Sequence, residues 1–299
     1  MKKLIKECIK KIVYKTGITT YRNSNKNGEK RQKNLPPIFD EPFAALAYEQ
    51  VGRRVAFKCP IDLTIKLNAL SYGSDGWHPF VETLKEYERG KTTTYVGSLL
   101  ETFYMKHQPT NASESIIGFQ QAPDSFKNHL PHIYRLSPWR PGNAEDVDKS
   151  IRRFTKKDSI KYTGREMTLE SDGFQYHGPV SLDKGRLEYF RLIKTFESIK
   201  HKGYNRALGH AHFLTLRRGN EIRYLAIGNG NHRIAAMAAL GYDTIPAIFQ
   251  RPSIIDLDMA EYWPQVQKKV WSQNQAIAYF NHLFYFESGD WARKSGMSF

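Results

Sequence analysis

From about residue 174 onward, apolar and polar positions follow one another in the order of a small α/β unit. Apolar side chains at three- and four-residue spacing predict a helix over 185–203. Short apolar runs predict an edge strand over 212–218 and a buried strand over 224–227, joined by a Gly-Asn turn. An Ala-rich run predicts a helix over 232–240, and residues 245–249 predict a last strand. The stripe of the first helix consists of Leu187, Phe190, Ile193, Phe196 and Ile199.

The rest of the body has a mixed, aromatic-rich pattern. In 38–165 we expect a helix over 79–90, a second helix capped by Ser98, and a third helix capped by Asn143. The stretch 261–286 predicts two aromatic-rich helices that close a core. Together, these elements indicate a mixed α/β (α+β) protein.

The first 18 residues have the pattern of a basic amphipathic helix. Six apolar residues share one half of the helical wheel, and lysines occupy the other half. This pattern is typical of a helix that lies on an anionic membrane surface. A core-packing helix with a solvated basic face and a basic arm on DNA are the alternatives. The apolar half is formed by Leu4, Ile5, Cys8, Ile9, Ile12 and Val13.

Charge is concentrated at the same end of the chain. The 299 residues carry a net charge of +15, and residues 1–33, with eleven Lys or Arg and two Glu, contribute +9 of it. Such a charge indicates a nucleic acid or an anionic membrane as partner. The two cysteines, Cys8 and Cys59, lack metal-ligand spacing, so we expect neither a metal site nor a disulfide framework.

The turn 228–233, Gly-Asn-Gly-Asn-His-Arg, carries the main functional signal. Gly228 and Gly230 permit backbone angles that other residues resist, while Asn229 and Asn231 tolerate the left-handed region and can cap a helix. A glycine turn that enters a helix leaves backbone N–H groups free for an anion, to which Arg233 would add charge. An ordinary strand-turn-helix connection with a surface arginine is the alternative.

The predicted elements and this turn resemble the ParB/sulfiredoxin-like superfamily over roughly 174–250. The resemblance rests on the helix ending SIKHKGYN, the hairpin, the turn Gly230-Asn231-His232-Arg233 and the closing GYDTIPAIF. It implies that these four turn residues contact the phosphates of a nucleotide. For His232, bracing the turn through a backbone carbonyl is the alternative role.

Departures from the superfamily narrow the function. Sulfiredoxin has a cysteine where this chain has Asn231, and an amide cannot replace a thiolate nucleophile. Partition proteins have a more arginine-rich turn and a helix-turn-helix domain, which 261–286 does not resemble. Free-serine kinases remain, and in them a carboxylate before the first helix is thought to deprotonate the acceptor hydroxyl.

By position, the kinase-like resemblance points to Asp183 as this carboxylate and to Glu188 as the second candidate. Lys184, Arg186 and Arg233 would stabilise charge during phosphoryl transfer. A solvated acid at a helix start, stabilised by the helix dipole, is the alternative role for Asp183.

The sequence thus predicts a phosphotransferase that uses ATP or ADP, with Mg²⁺ bound through the nucleotide, and a hydroxyl-bearing small molecule or sugar as acceptor. We expect it in the cytoplasm, peripheral at the inner membrane of a bacterium, in surface-polysaccharide assembly. A ParB-like nucleic-acid-binding protein or nuclease and a non-catalytic nucleotide-gated scaffold are the alternatives. The expected segments are the basic helix 1–18, a flexible linker 19–37, a mixed acceptor-binding region 38–165, the nucleotide-binding unit 166–250 and a helical closure 251–299.

Overall fold

The structure, a computed structural model, describes residues 38–50 and 55–297. The predicted basic helix and linker lie outside these residues. The strands are β1 (Ile38–Phe39), β2 (Ala56–Pro60), β3 (Thr64–Ile65), β4 (Ala211–Arg218), β5 (Glu221–Ile227) and β6 (Thr244–Asp256). The helices are α1 (Pro42–Gln50), α2 (Pro79–Glu88), α3 (Leu99–Lys106), α4 (Ala144–Thr163), α5 (Leu169–Asp172), α6 (Leu182–Lys202), α7 (Asn231–Ala239), α8 (Pro264–Gln267), α9 (Gln273–Tyr285) and α10 (Ser288–Lys294).

Six strands in the described residues form one mixed sheet in the order β1-β2-β6-β4-β5-β3. The pairs β2/β6 and β4/β5 are antiparallel, whereas β1/β2, β6/β4 and β5/β3 are parallel. The first half of the chain therefore supplies both outer strands of the sheet whose centre comes from the second half. The fold is mixed α/β, as the sequence predicts.

Both faces of the sheet are buried, because successive side chains of a strand point to opposite faces. On β5, Tyr224 and Ala226 belong to a core with α2, α3, α6 and α7, while Leu225 belongs to a second core with α9. Aromatic side chains dominate the second core, where Trp271 and Tyr279 are fully buried. Of the two aromatic-rich helices predicted over 261–286, α9 is found and contributes to this core, whereas α8 has only four residues and no aromatic side chain.

The predicted order of the α/β unit is confirmed in α6, β4, β5, α7 and β6, with one correction. The sequence predicts β4 at an edge, but it lies between β6 and β5 and is hydrogen-bonded on both sides. The polar residues His212 and Thr215 within the run suggest a half-solvated strand. The structure instead buries Thr215, because helices cover both faces.

The helix caps predicted at Ser98 and Asn143 are confirmed, whereas neither Asn229 nor Asn231 caps α7, whose N-cap residue is Gly230. The Ser98 side chain accepts a hydrogen bond from the Glu101 backbone N–H at the start of α3. Asn143 and Asp146 form a reciprocal capping box at the start of α4. No helix in the part of the chain that the structure describes is both long and apolar enough to cross a membrane.

Candidate functional site

The turn between β5 and α7 has the conformation that its glycines predict. Gly228 has a φ of 63° and Gly230 a φ of 107°, both in the region that favours glycine. A Cβ on Gly230 would lie 2.7 Å from the Cα of Ala211 on the neighbouring strand β4. The turn at Gly230 therefore needs glycine for two reasons, backbone angle and space.

Helix α7 begins without a side-chain cap. Gly230 is its N-cap residue, and the backbone N–H groups of Arg233 and Ile234 both donate to the Gly230 carbonyl. The N–H groups of Asn231 and His232 precede any possible partner within the helix. These two donors at the positive end of a helix dipole form an arrangement that binds anions.

The Asn231 side chain is committed to the protein interior. Its Oδ1 accepts from Lys66 Nζ at 2.8 Å and from the Tyr72 hydroxyl at 3.2 Å. Its Nδ2 donates to the Tyr176 hydroxyl and, at 3.1 Å, to the Gly228 carbonyl. Asn231 can therefore meet a phosphate only through its backbone N–H.

Beneath the start of α7 lies a buried carboxylate, Glu188 on α6, with no exposed surface. Its Oε1 lies 2.8 Å from Lys184 Nζ and 3.3 Å from the Arg191 guanidinium, which also pairs with Asp158 of α4. Its Oε2 lies 3.2 Å from Nε2 of His232. Helix geometry explains the grouping, since residues three and four positions apart share one helix face.

Electrostatics fixes the charge states of this pair. Burial alone would raise the pKa of Glu188, but Lys184 and Arg191, with His232, hold that pKa well below its ordinary value. Burial lowers the pKa of His232, and this outweighs the opposite effect of Glu188. At neutral pH the structure therefore places an ionised carboxylate beside a neutral imidazole.

Residues from two other helices, α2 and α6, surround His232. The Phe80 ring, in the first turn of α2, stacks on the imidazole with centroids 5.1 Å apart. The His78 ring, at the N-cap of α2, stacks on Tyr72 at 4.1 Å. Glu188 belongs to the second turn of α6. The positive end of the α2 dipole thus lies beside the uncapped start of α7, and the two dipoles together favour an anion there.

Asp183 does not lie at this site, contrary to the sequence-based hypothesis that it faces the turn. Its side chain is 62% exposed and pairs with Arg165 at 3.2 Å. At about 100° per residue, Asp183 projects about 140° around α6 from Glu188, so the two carboxylates face different surroundings. The geometry therefore moves the candidate role from Asp183 to Glu188, the second choice from the sequence.

The basic residues that the sequence predicts to stabilise charge lie in different surroundings. Lys184 is buried and held by Glu188, whereas Arg186 is exposed on the outer face of α6. Arg233 donates to the backbone carbonyls of Leu208, Gly209 and His210, so its guanidinium braces the segment before β4. Backbone carbonyls leave the positive charge of Arg233 uncompensated beside the turn.

Sequence reasoning missed the residues that reach the turn from the first half of the chain. Lys66 and Tyr72 follow β3, whose parallel register with β5 brings them beside the turn, although 165 and 159 positions separate them from Asn231. Tyr176 precedes α6. No local pattern could reveal these contacts. The signal that was present is the spacing of Lys184, Glu188 and Arg191, which predicts one charged face of α6.

Metal-ligand clusters and cavities among the described residues do not add to this site. Residues 38–50 and 55–297 contain no group of three or more His, Cys, Asp or Glu side chains arranged to hold a metal ion. A cavity of about 540 Å³ lies away from the turn, between residues 123–125 and 266–275, and it contains none of the predicted site residues.

A scan against protein-family models, a search of curated proteins and a search of solved structures each gave no match to this chain. Function is therefore inferred from the side chains and backbone groups around the turn.

Proposed function

We propose that the protein is a nucleotide-dependent phosphotransferase that phosphorylates a hydroxyl-bearing small molecule or sugar. One observation carries the proposal: the uncapped start of α7 lies directly beside the buried pair Glu188–His232. An anion-binding helix start and an acid–imidazole pair are the two parts that phosphoryl transfer requires, since the reaction depends on charge stabilisation and on a positioned base.

The phosphates of the nucleotide would be held by the backbone N–H groups of Asn231 and His232. Gly228 leaves open space beside the turn, since its Cβ position has no neighbour within 4 Å, whereas Gly230 faces Ala211 of β4. Arg233 supplies a cation whose charge no carboxylate within ion-pair distance neutralises among the described residues. Mg²⁺ would enter as the counter-ion of the nucleotide.

His232 is the proposed base. Nε2 of His232 lies 3.2 Å from Oε2 of the ionised Glu188, so a ring proton on Nε2 would leave the lone pair of the neutral imidazole on the other ring nitrogen. That nitrogen takes the proton of the acceptor hydroxyl as the acceptor oxygen bonds to the terminal phosphorus and the bond to the nucleotide breaks. Glu188 fixes the tautomer and stabilises the imidazolium, as the carboxylate does in a catalytic triad.

The ParB/sulfiredoxin-like resemblance supports the same reading. The order α6, β4, β5, α7 and β6, with a glycine turn before α7, is the order expected for that unit. The pattern of lysine and isoleucine in residues 1–18 supports binding of the protein to an anionic membrane surface on the cytoplasmic side. Surface-polysaccharide assembly would supply a sugar acceptor at that surface.

Two assays test the proposal. Thermal unfolding is followed with ATP or ADP, each with and without Mg²⁺, because a ligand of the native state raises the melting temperature. Phosphoryl transfer is then measured over a panel of free sugars and hydroxyl amino acids. We expect a melting shift with one nucleotide and turnover with one acceptor class.

Variants on one helix sharpen the result. Glu188→Gln should lower turnover by about 10⁴-fold, as the amide replacement of the carboxylate that orients the histidine does in a catalytic triad. Asp183→Asn, five residues nearer the start of the same helix and exposed, should retain turnover. Nucleotide binding without turnover would support a scaffold instead, and salt-dependent DNA binding without nucleotide binding would support a nucleic-acid protein.

A further inference from the structure

Lys66 is a buried lysine whose role the proposed chemistry does not use. It follows β3, is 4% exposed, and its Nζ donates to Asn231 Oδ1 at 2.8 Å and to the Ala226 carbonyl at 3.3 Å. The Nζ also lies 4.6 Å from the centre of the Tyr176 ring. Its contacts therefore all converge on the end of β5 and the start of α7.

No carboxylate lies within ion-pair distance of Lys66 in the described part of the chain. Burial, reinforced by the charge of Arg135, holds the pKa of Lys66 well below its ordinary value. Burying an amine in this way is unfavourable compared with an apolar side chain of the same length. The hydrogen bonds that Lys66 makes therefore explain why a lysine occupies this buried position.

Those hydrogen bonds determine which way the Asn231 amide points. The Gly228 carbonyl can only accept, so the amide nitrogen faces Gly228 and Tyr176, and the amide oxygen faces Lys66, whose amine donates to it. A flipped amide would set its N–H₂ group against the amine and would lose the bond to the Gly228 carbonyl. That bond spans the turn and holds its first glycine to the first residue of α7.

We propose that Lys66 is a positioning residue that fixes the turn 228–231 through the Asn231 amide, keeping the Asn231 and His232 N–H groups open to a phosphate-bearing ligand. This role rests on the anion site of the proposed function. Lys66 acts through Asn231 and does not itself touch the ligand.

The test compares Lys66→Met, which keeps length but removes the donor, with Tyr279→Phe. The Tyr279 hydroxyl donates to the Leu67 carbonyl at 2.6 Å, so the control loses one buried hydrogen bond next to Lys66 but away from the turn. Amide hydrogen exchange of the peptide 227–233 is measured without ligand, and pyrophosphate affinity by calorimetry. Lys66→Met should speed exchange in this peptide and weaken affinity by roughly 10–100-fold, whereas Tyr279→Phe should do neither.

A cycle with Asn231→Ala tests the route of the effect. If Lys66 acts through the amide, Lys66→Met should change neither exchange nor affinity further in the Asn231→Ala background. If Lys66→Met fails to fold, Lys66→Leu takes its place in the same measurements, because Asn231→Ala alone also removes the bonds to Tyr72, Tyr176 and Gly228.

The two proposals fail separately. Exchange of 227–233 that is unchanged in Lys66→Met would overturn the positioning role, whatever binds. Faster exchange in a protein whose parent binds neither pyrophosphate nor nucleotide would uphold the positioning role and contradict the phosphotransferase.

Discussion

The buried position of Glu188 makes a quantitative prediction about two amide substitutions on α6. Glu188→Gln preserves size but removes the charge that compensates Lys184, which has no other ion-pair partner among the described residues, while Arg191 keeps Asp158. Breaking a buried ion pair costs about 3–5 kcal/mol, and the retained Asp158 favours the lower end. Because 1 kcal/mol shifts the melting temperature of a protein of this size by ~2–4 °C, we expect a loss of ~6–12 °C.

Asp183→Asn is the matched control. Its carboxylate is 62% exposed, and its partner Arg165 also pairs with Asp172 at 3.0 Å. Solvent screening limits such a pair, with the helix-dipole contribution, to below about 1 kcal/mol. The assay is thermal unfolding by circular dichroism at pH 7. Equal melting shifts for the two variants would refute the argument that Glu188 is a buried, charge-compensating group.

The pH dependence of the folding stability provides an independent test of the charge on Glu188. The pKa of Glu188 is depressed in the folded protein, so its contribution to stability is present above the unfolded value of about 4.3. That contribution is lost as the pH falls below this value and through the folded pKa. The difference in melting temperature between the parent and Glu188→Gln should therefore shrink on acidification below about pH 4.3. A difference that stays constant would contradict the sign.

Three further predictions concern the turn and the N-terminal segment. Gly230→Val should destabilise the protein and abolish nucleotide binding, because its Cβ would collide with Ala211 and its φ of 107° disfavours a β-branched residue; a folded, binding variant would refute this, with Gly241→Val as control for a glycine of positive φ in open space. Arg233→Ala should weaken nucleotide binding with little loss of stability and speed amide exchange over 206–210, and unchanged binding would remove Arg233 from the site. Deleting residues 1–33 should leave a cooperatively folding body in circular dichroism but abolish binding to anionic vesicles in co-sedimentation, and retained binding would exclude the membrane role.

Local pattern was sufficient for much of the fold. The spacing of apolar residues predicts α6 and α7 to within a few residues, and cap residues such as Ser98 and Asn143 mark helix starts correctly. These features depend on interactions between near neighbours in sequence. The central place of β4 depends instead on which strands flank it, which no local pattern contains.

The candidate site also has features that the sequence predicts and features that only the tertiary structure shows. The glycine turn and its open N–H groups follow from the sequence, as does the shared face of Lys184 and Glu188. The choice between Asp183 and Glu188 required the rotation of α6 relative to α7, which packing determines. The hydrogen bonds of Lys66 and Tyr72 to Asn231 join residues that are separated by more than half of the described chain. Predicting them would have required knowledge of the β3/β5 pairing.

The central claim is that the backbone N–H groups at the start of α7 bind the phosphates of a nucleotide. Backbone ¹H–¹⁵N chemical shifts, followed during titration with ATP and ADP in the presence of Mg²⁺, test it most directly. We expect saturable chemical-shift changes that are largest at the amides of Asn231 and His232, because these groups would form new hydrogen bonds to phosphate oxygens. Saturable changes centred elsewhere, such as the cavity at 266–275, or no changes at millimolar nucleotide, would contradict it.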